Sequence, residues 1–338
     1  MSDIGGTATQ KQRVKHDDEC ARFDVIGDVH GCANTLVKLL KQMGYHSDDQ
    51  GYFHPDRKTL FVGDIVDRGP RVREALHIVR DMCESGQAEC VLGNHEFYAI
   101  AYFTLLNDGG HLRYLRPHTV HHDRLIAETL EQFERYSRDW ESMLTWFKTL
   151  PLFIEKPRLR VVHACWDAPL IADFLEHNGS PVVDDAFIRA SDNPNSFEAA
   201  VFGRLTRGTS MHLPPGVVIV GRDGVERTLF RTRFWSHNPK TYADVVFQPD
   251  PLPEYLVNTP LSDAERARLV HYGEHEKPVF IGHYWLQGIP KALRSNVACL
   301  DYSAVKYGKL VAYRFDGEQK LDDRKFCWVS VDKTESTH

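Results

Sequence analysis

The chain has 338 residues, 42% of them hydrophobic and 26% charged, the proportions of an ordinary globular protein, which argues against a fibre, a disordered chain or a membrane protein. Lysine and arginine total 41 against 47 aspartate and glutamate, a formal net charge of -6, so no bulk attraction toward nucleic acid is indicated. The length predicts one large domain carrying insertions, or a catalytic domain with a smaller cap.

Residues 1 to 20 are polar and read as a flexible tail, without the apolar run of a signal-peptide core. Secretion by that route is not expected, and no later stretch resembles a membrane span. The seven cysteines are an odd, scattered set without a CxxC pair, which predicts reduced thiols and a cytoplasmic protein.

Residues 22 to 27 read as a short strand, followed by a helix that starts near Asn34 or Thr35 and runs through Leu36, Leu39, Leu40 and Met43. Apolar runs at 59 to 62 and 89 to 92 repeat the strand pattern, with helical spacing between them through Ala75, Ile78, Val79 and Met82. This alternation predicts a largely parallel sheet flanked by helices, its functional loops gathered beyond the carboxyl ends of the strands. From 97 to 150 the apolar spacing is helical and reads as a helical insertion. Runs at 152 to 154 and 159 to 162 begin a second sheet. Residues 170 to 275, with Pro214, Pro215 and an Arg-Asp-Gly turn at 222 to 224, read as an inserted cap or substrate-facing loop region. Strand character returns at 279 to 281, 297 to 300, 310 to 315 and 326 to 331.

Polar clusters follow three of these strands: Gly27-Asp28-Val29-His30-Gly31, then Gly63-Asp64-Ile65-Val66-Asp67-Arg68-Gly69-Pro70, then Gly93-Asn94-His95-Glu96. Unpaired charges in a fold's interior are costly, so a bound cation is the economical explanation for them. Oxygen and nitrogen ligands without thiolates suit manganese, iron, zinc or nickel, and Asp64 can use its two oxygens to bridge a pair of ions. Two ions about 3.5 to 4 Å apart polarise a phosphoryl group and turn a bridging water into a nucleophile at neutral pH. His163 in Val-Val-His-Ala and His283 in Ile-Gly-His-Tyr stand at further strand ends and complete the donor set.

The ordered motifs GDVHG, GDIVDRGP and GNHE, with two later strand-end histidines, resemble the calcineurin-like metallophosphoesterases, and within them the phosphoprotein phosphatase branch, which includes bacterial serine/threonine phosphatases and symmetrical dinucleoside tetraphosphate hydrolases. The resemblance is close over residues 22 to 96 and continues in short islands near 160 to 167 and 278 to 315. It implies an α/β fold of two mixed sheets packed as a sandwich with helices outside. It also implies a first metal on Asp28, His30 and Asp64, and a second on Asp64, Asn94, His163 and His283, with manganese the first expectation. By the same resemblance His95 protonates the leaving oxygen, Asp67 orients His95, and Arg68 and Asn94 bind the substrate phosphate. Attack by a metal-bridging hydroxide, without a covalent enzyme intermediate, is implied.

The expected activity is hydrolysis of phosphate monoesters on protein or small molecules. The alternatives are hydrolysis of dinucleoside polyphosphates, phosphate removal at RNA ends, or a metal-binding scaffold without catalysis. Gly282-His283-Tyr284-Trp285 lacks the second histidine that many superfamily members carry, as does the phosphoprotein phosphatase branch, and Asp301-Tyr302-Ser303 stands where Asp-Thr-Gly is usual. Glu96 is expected to support its loop, and Cys32 and Cys165 to be small buried filler. One of Arg204, Arg207, Arg222, Arg231 and Arg233 is a candidate for a second phosphate-binding arginine.

Overall fold

The computed structural model describes residues 22–214, 216–220, 226–247, 252–306 and 308–331. The expected tail at 1 to 20 and the turn at 222 to 224 lie outside the described residues.

Strands Arg22–Ile26, Arg57–Phe61 and Ala88–Cys90 lie parallel, with Val25 opposite Leu60 and Leu60 opposite Glu89. Lys309–Phe315 closes antiparallel on the other edge of the first strand, placing Val25 opposite Tyr313, and Asp301–Tyr302 and Phe326–Ser330 pair with it in turn. A second sheet has the order Val297–Cys299, Val279–Ile281, Arg160–Val162, Phe153–Glu155, parallel except for its last pair. Both sheets are mixed, and they pack face to face as the sequence predicts.

The period-two alternation of side chains explains how each apolar run serves two layers. Phe23, Val25, Leu60 and Val62 from the first sheet meet Val161, Phe280, Ala298 and Leu300 from the second in one buried cluster. Their neighbours Ile26, Phe61, Val162, Ile281 and Cys299 face outward, into a cluster shared with the helices. Helix Ala33–Gln42 contributes Leu36, Leu39 and Leu40, and helix Val72–Glu84 contributes Ala75, Leu76, Val79 and Met82. Phe280 is fully buried between the rings of Tyr313 at 5.1 Å and Phe315 at 5.9 Å. Phe280→Ala is expected to lower stability by about 3–5 kcal/mol in urea unfolding, and a loss below about 1 kcal/mol would mean the two sheets are not the stability core.

The helical spacing expected over 97 to 150 is interrupted. Helix Asn94–Phe103 is followed by a hairpin, Leu105–Asp108 with His111–Tyr114, before helices Val120–Phe133 and Ser137–Phe147. The hairpin turns at Gly109 and Gly110, both with positive φ, so the Asn-Asp-Gly-Gly stretch outweighs the surrounding helical pattern. The region from 170 to 275 has two parts. Helices Ala168–Asn178, Asp185–Ala190 and Phe197–Arg207 give Phe174, Ile188, Val201 and Leu205 to the main core. Beyond them a small sheet, Ser210–His212, Leu229–Thr232 and Val246–Phe247, sits over its own cluster of Leu213, Phe230, Tyr242, Val245, Leu256 and Leu261. Among the described residues no helix is long and apolar enough to cross a membrane, and Cys83, Cys90, Cys165, Cys299 and Cys327 are free thiols. Cys32 and Cys165 are buried in the helix-side core, as their size suits them for.

Candidate active site

Six parallel strands, three in each sheet, run toward one end of the sandwich, and each delivers polar residues just past its carboxyl end. The first sheet delivers Asp28 and His30, then Asp64, Asp67 and Arg68, then Asn94 and His95; the second delivers His163, His283 and Asp301. Backbone bonds lock the loops together. The amides of Val29 and His30 donate to the Asp64 carbonyl, Gly31 donates to Ile65, and Gly282 donates to His163 across the second sheet. Glu96 accepts from the amides of Asp64, Ile65, Val66 and Gly93 at 2.7 to 3.1 Å, so it is the scaffold of two loops, as its position suggested.

Backbone strain concentrates here. Eight described non-glycine residues have positive φ, and seven of them, His30, Asp64, Asp67, Arg68, His283, Trp285 and Ser303, belong to these loops. Such conformations cost on the order of 1–3 kcal/mol each and persist where the surroundings fix a functional geometry. Ser303, at φ 56, takes the left-handed conformation a glycine would adopt at that position, and its amide donates to Asp301 at 2.9 Å. Tyr-Ser in place of Thr-Gly therefore preserves the turn. The other oxygen of Asp301 accepts from the Trp285 amide at 2.8 Å. A side chain at Gly282 would collide with the Asp28 carboxylate.

Asp64 stands at the centre. Its Oδ1 accepts from the His95 amide at 2.9 Å. Its Oδ2 lies 3.6 Å from His30 Nε2 and 3.3 Å from His163 Nε2. One oxygen thus faces both histidines while the other accepts from the backbone. His30 Nδ1 donates to the Val66 carbonyl at 2.9 Å and His163 Nδ1 to the Val62 carbonyl at 2.7 Å, so each ring turns its Nε2 inward. Asn94 Oδ1 lies 3.1 Å from His163 Nε2. Asp28 Oδ2 accepts from the His283 amide at 3.1 Å.

Three buried polar atoms here have no hydrogen-bond partner among the described residues: Asp28 Oδ1, His30 Nε2 and His283 Nε2. Native proteins leave few such atoms unsatisfied, and an ion is one of the standard explanations. His30, Asp64 and His95 offer donor atoms within 4.8 Å of one another, as do Asp64, His163 and His283. Burial, together with Asp301, holds the Asp28 carboxyl well above its ordinary range. Burial also pushes Asp64 upward, but His163, His95 and His30 around it hold it well below. For His163 burial opposes charge, yet Asp64 beside it brings the ring up to about 10. Buried carboxylates and inward-facing imidazole nitrogens, some without any other partner, fit divalent cations, which Asp28, His30, Asp64, Asn94, His163 and His283 would hold.

His95 Nδ1 bonds Asp67 Oδ2 at 2.7 Å, and Asp67 Oδ1 accepts from the Thr129 hydroxyl at 2.6 Å. Thr129 belongs to helix Val120–Phe133 and had no signal in the sequence. Thr129→Val is expected to leave metal content intact and lower kcat by about 2- to 12-fold, the equivalent of one hydrogen bond of about 0.5–1.5 kcal/mol. An unchanged kcat would show that Asp67 holds its orientation without it.

Above this floor opens a cleft of about 500 Å³, lined by Asp64, Asn94, His95 and His283 together with Arg68, Arg207, Arg231, Tyr98 and Trp285. Arg68 stacks on Trp285 at 4.8 Å and has no carboxylate partner among the described residues. Of the other candidate arginines, Arg207 and Arg231 line the cleft, and Arg231 is anchored by the His283 carbonyl at 3.1 Å. Arg204 is occupied by Asp167. Arg233 bonds through its backbone to Val245 in the cap, and Arg222 lies outside the described residues.

Residues 21–250 match the profile of the calcineurin-like phosphoesterases, and the chain belongs to that family. That family is one of phosphoesterases, and the histidine and aspartate groups gathered here could hold metal ions. The chain is 45% identical over 75 residues to an asymmetrical bis(5'-nucleosyl)-tetraphosphatase PrpE of Halalkalibacterium halodurans, a match covering 22% of this chain and 30% of that protein. It is 26% identical over 315 residues to a symmetrical bis(5'-nucleosyl)-tetraphosphatase of a Marinomonas species, covering 88% of this chain and 94% of that one. The chain thus spans under a third of the first of these relatives and nearly all of the second. A protein serine/threonine phosphatase of Saccharomyces cerevisiae aligns in structure over 93% of this chain and 80% of its own, at 13% identity and a TM-score of 0.47.

Proposed function

We propose that this protein hydrolyses dinucleoside polyphosphates, using two divalent cations held by Asp28, His30 and Asp64 on one side and by Asp64, Asn94, His163 and His283 on the other. Manganese is the proposed metal and the cytoplasm the proposed setting. A bound cation pair supplies Lewis acidity at the phosphoryl oxygens and a water of lowered pKa as nucleophile. Asn94, whose Oδ1 faces His163, keeps its amide nitrogen for a phosphate oxygen. His95 gives its Nε2 proton to the departing oxygen. Asp67, fixed by Thr129, holds His95 Nδ1 and stabilises the charged ring that makes the donation.

The observation that favours a polyphosphate over a single phosphate is the trio of guanidinium groups, Arg68, Arg207 and Arg231, on one cleft. Each presents a planar fork suited to two phosphate oxygens. A monoester presents one phosphate to them, whereas a polyphosphate chain presents several. The tetraphosphatase relative that aligns over nearly its whole length supports the same substrate class. Phosphate monoesters are the second reading, favoured by the Gly282-His283-Tyr284-Trp285 ending that resembles the phosphoprotein phosphatase branch.

The test is manganese-loaded protein assayed in parallel on diadenosine tetraphosphate, a phosphopeptide, p-nitrophenyl phosphate and a cyclic nucleotide. A charge-assisted hydrogen bond contributes about 1.5–3 kcal/mol, so the dinucleotide is expected to lead the monoesters in kcat/KM by at least about tenfold. Faster turnover of the phosphopeptide would transfer the assignment to monoesters.

A further inference from the structure

A second cavity of about 290 Å³ opens beside the cleft, bounded by Arg227, Leu229, Phe230, Arg231, Phe247, Tyr284 and Trp285. Leu229, Arg231 and Trp285 line both spaces, so the two are neighbours across the Arg231 guanidinium. Two of these residues come from the loop that carries His283, Leu229, Phe230, Arg231 and Phe247 come from the small sheet of the cap, and Arg227 comes from the two-stranded sheet of Ile219–Val220 with Glu226–Arg227. The walls are chiefly aromatic. Tyr284 is fixed by Trp235 and Phe247, each ring centroid 5.0 Å away and nearly perpendicular to it. Among the described residues no acidic side chain lines the cavity, and the charged groups are two arginines.

We propose that this side cavity is a nucleobase subsite, which receives one base of the substrate while the attached phosphates lie across Arg231 toward His283 and Asp64. The inference rests on the dinucleoside polyphosphate reading of the cleft and adds where the base is bound. The chemistry of the lining selects the occupant. A flat, weakly polar ring suits aromatic and aliphatic walls, ring nitrogens and exocyclic oxygens accept from guanidinium groups, and a phosphate tether places negative charge at Arg231. An acidic or cationic peptide side chain matches these walls poorly: the first gains no apolar contact, and the second meets the like charge of Arg231.

The experiment compares two ligands that carry the same two phosphates and differ in the nucleoside. ADP and inorganic pyrophosphate are titrated calorimetrically into manganese-loaded wild-type protein and into the Phe247→Ala and Leu229→Ala variants. Base stacking contributes about 1–3 kcal/mol, so wild-type protein is expected to bind ADP at least about fivefold more tightly than pyrophosphate, and both variants to narrow that ratio. Leu229 is 47% exposed, so its truncation keeps the test valid if Phe247→Ala fails to fold. Equal affinity for the two ligands in wild-type protein, or a ratio that neither variant changes, would overturn the subsite. Tighter binding of phosphotyrosine than of ADP would overturn it in favour of a peptide side chain. A clear ADP preference without turnover of diadenosine tetraphosphate would instead leave the subsite standing and overturn the substrate assignment.

Discussion

Asp64→Asn is expected to abolish most turnover, with kcat/KM falling by about 10²- to 10⁴-fold, and to lower bound manganese below two per chain. The geometry dictates the size of the effect. Among the described residues Asp64 Oδ2 is the one carboxylate oxygen that faces both His30 and His163, at 3.6 and 3.3 Å, and all three side chains are buried. Asparagine can still accept the His95 amide bond through its oxygen, but it then turns an amide nitrogen, two N–H donors and no charge, toward both cation positions. Removing one partner from a buried charge cluster costs about 3–5 kcal/mol, and each 1.36 kcal/mol on the barrier is tenfold in rate. Metal content by inductively coupled plasma spectrometry and phosphate release are the readouts. A variant that kept two ions and near-normal turnover would remove Asp64 from the centre of the mechanism.

His95→Asn is expected to retain both metals yet lose about 10²- to 10⁴-fold in kcat, the range of general acid catalysis. The loss should be greatest for alkyl phosphates, whose leaving oxygens require a proton, and least for p-nitrophenyl phosphate. His95 also offers a donor atom near His30 and Asp64, so direct ligation is the competing role. Its Nδ1 bond to Asp67 at 2.7 Å favours the acid, because the carboxylate stabilises the imidazolium and aims Nε2. Equal slowing across leaving groups, or the loss of one metal per chain, would make His95 a ligand instead. Asp67→Asn should repeat the leaving-group pattern at smaller magnitude, since it weakens that support without removing the ring.

The parts of the site that could be read in sequence are those where one strand and its following turn contain the whole signal. Asp28 and His30, Asp64 through Arg68, and Asn94 and His95 each follow an apolar run, and the parallel sheet converts that local pattern into a common location. His163 and His283 were legible for the same reason, although their motifs are shorter. What escaped the reading depends on contacts distant along the chain. Thr129 is an ordinary residue on an amphipathic helix and meets Asp67 only because that helix packs beside the loop. Arg207 and Arg231 were indistinguishable from Arg204 and Arg233, since what separates them is a helix end and a cap strand that face the cleft. That Asp64 Oδ1 accepts from the His95 amide follows from the packing of two separate loops. The hairpin at 105 to 114 was a matter of weight, four turn-forming residues set against a longer helical pattern.

The most direct test of the two-cation account is a manganese titration of metal-stripped protein, following both bound metal and hydrolysis of diadenosine tetraphosphate. The account predicts negligible hydrolysis without metal and a rate that rises until two ions are bound per chain and then stays level. Full activity in the stripped protein, or a plateau reached at one ion per chain, would contradict it.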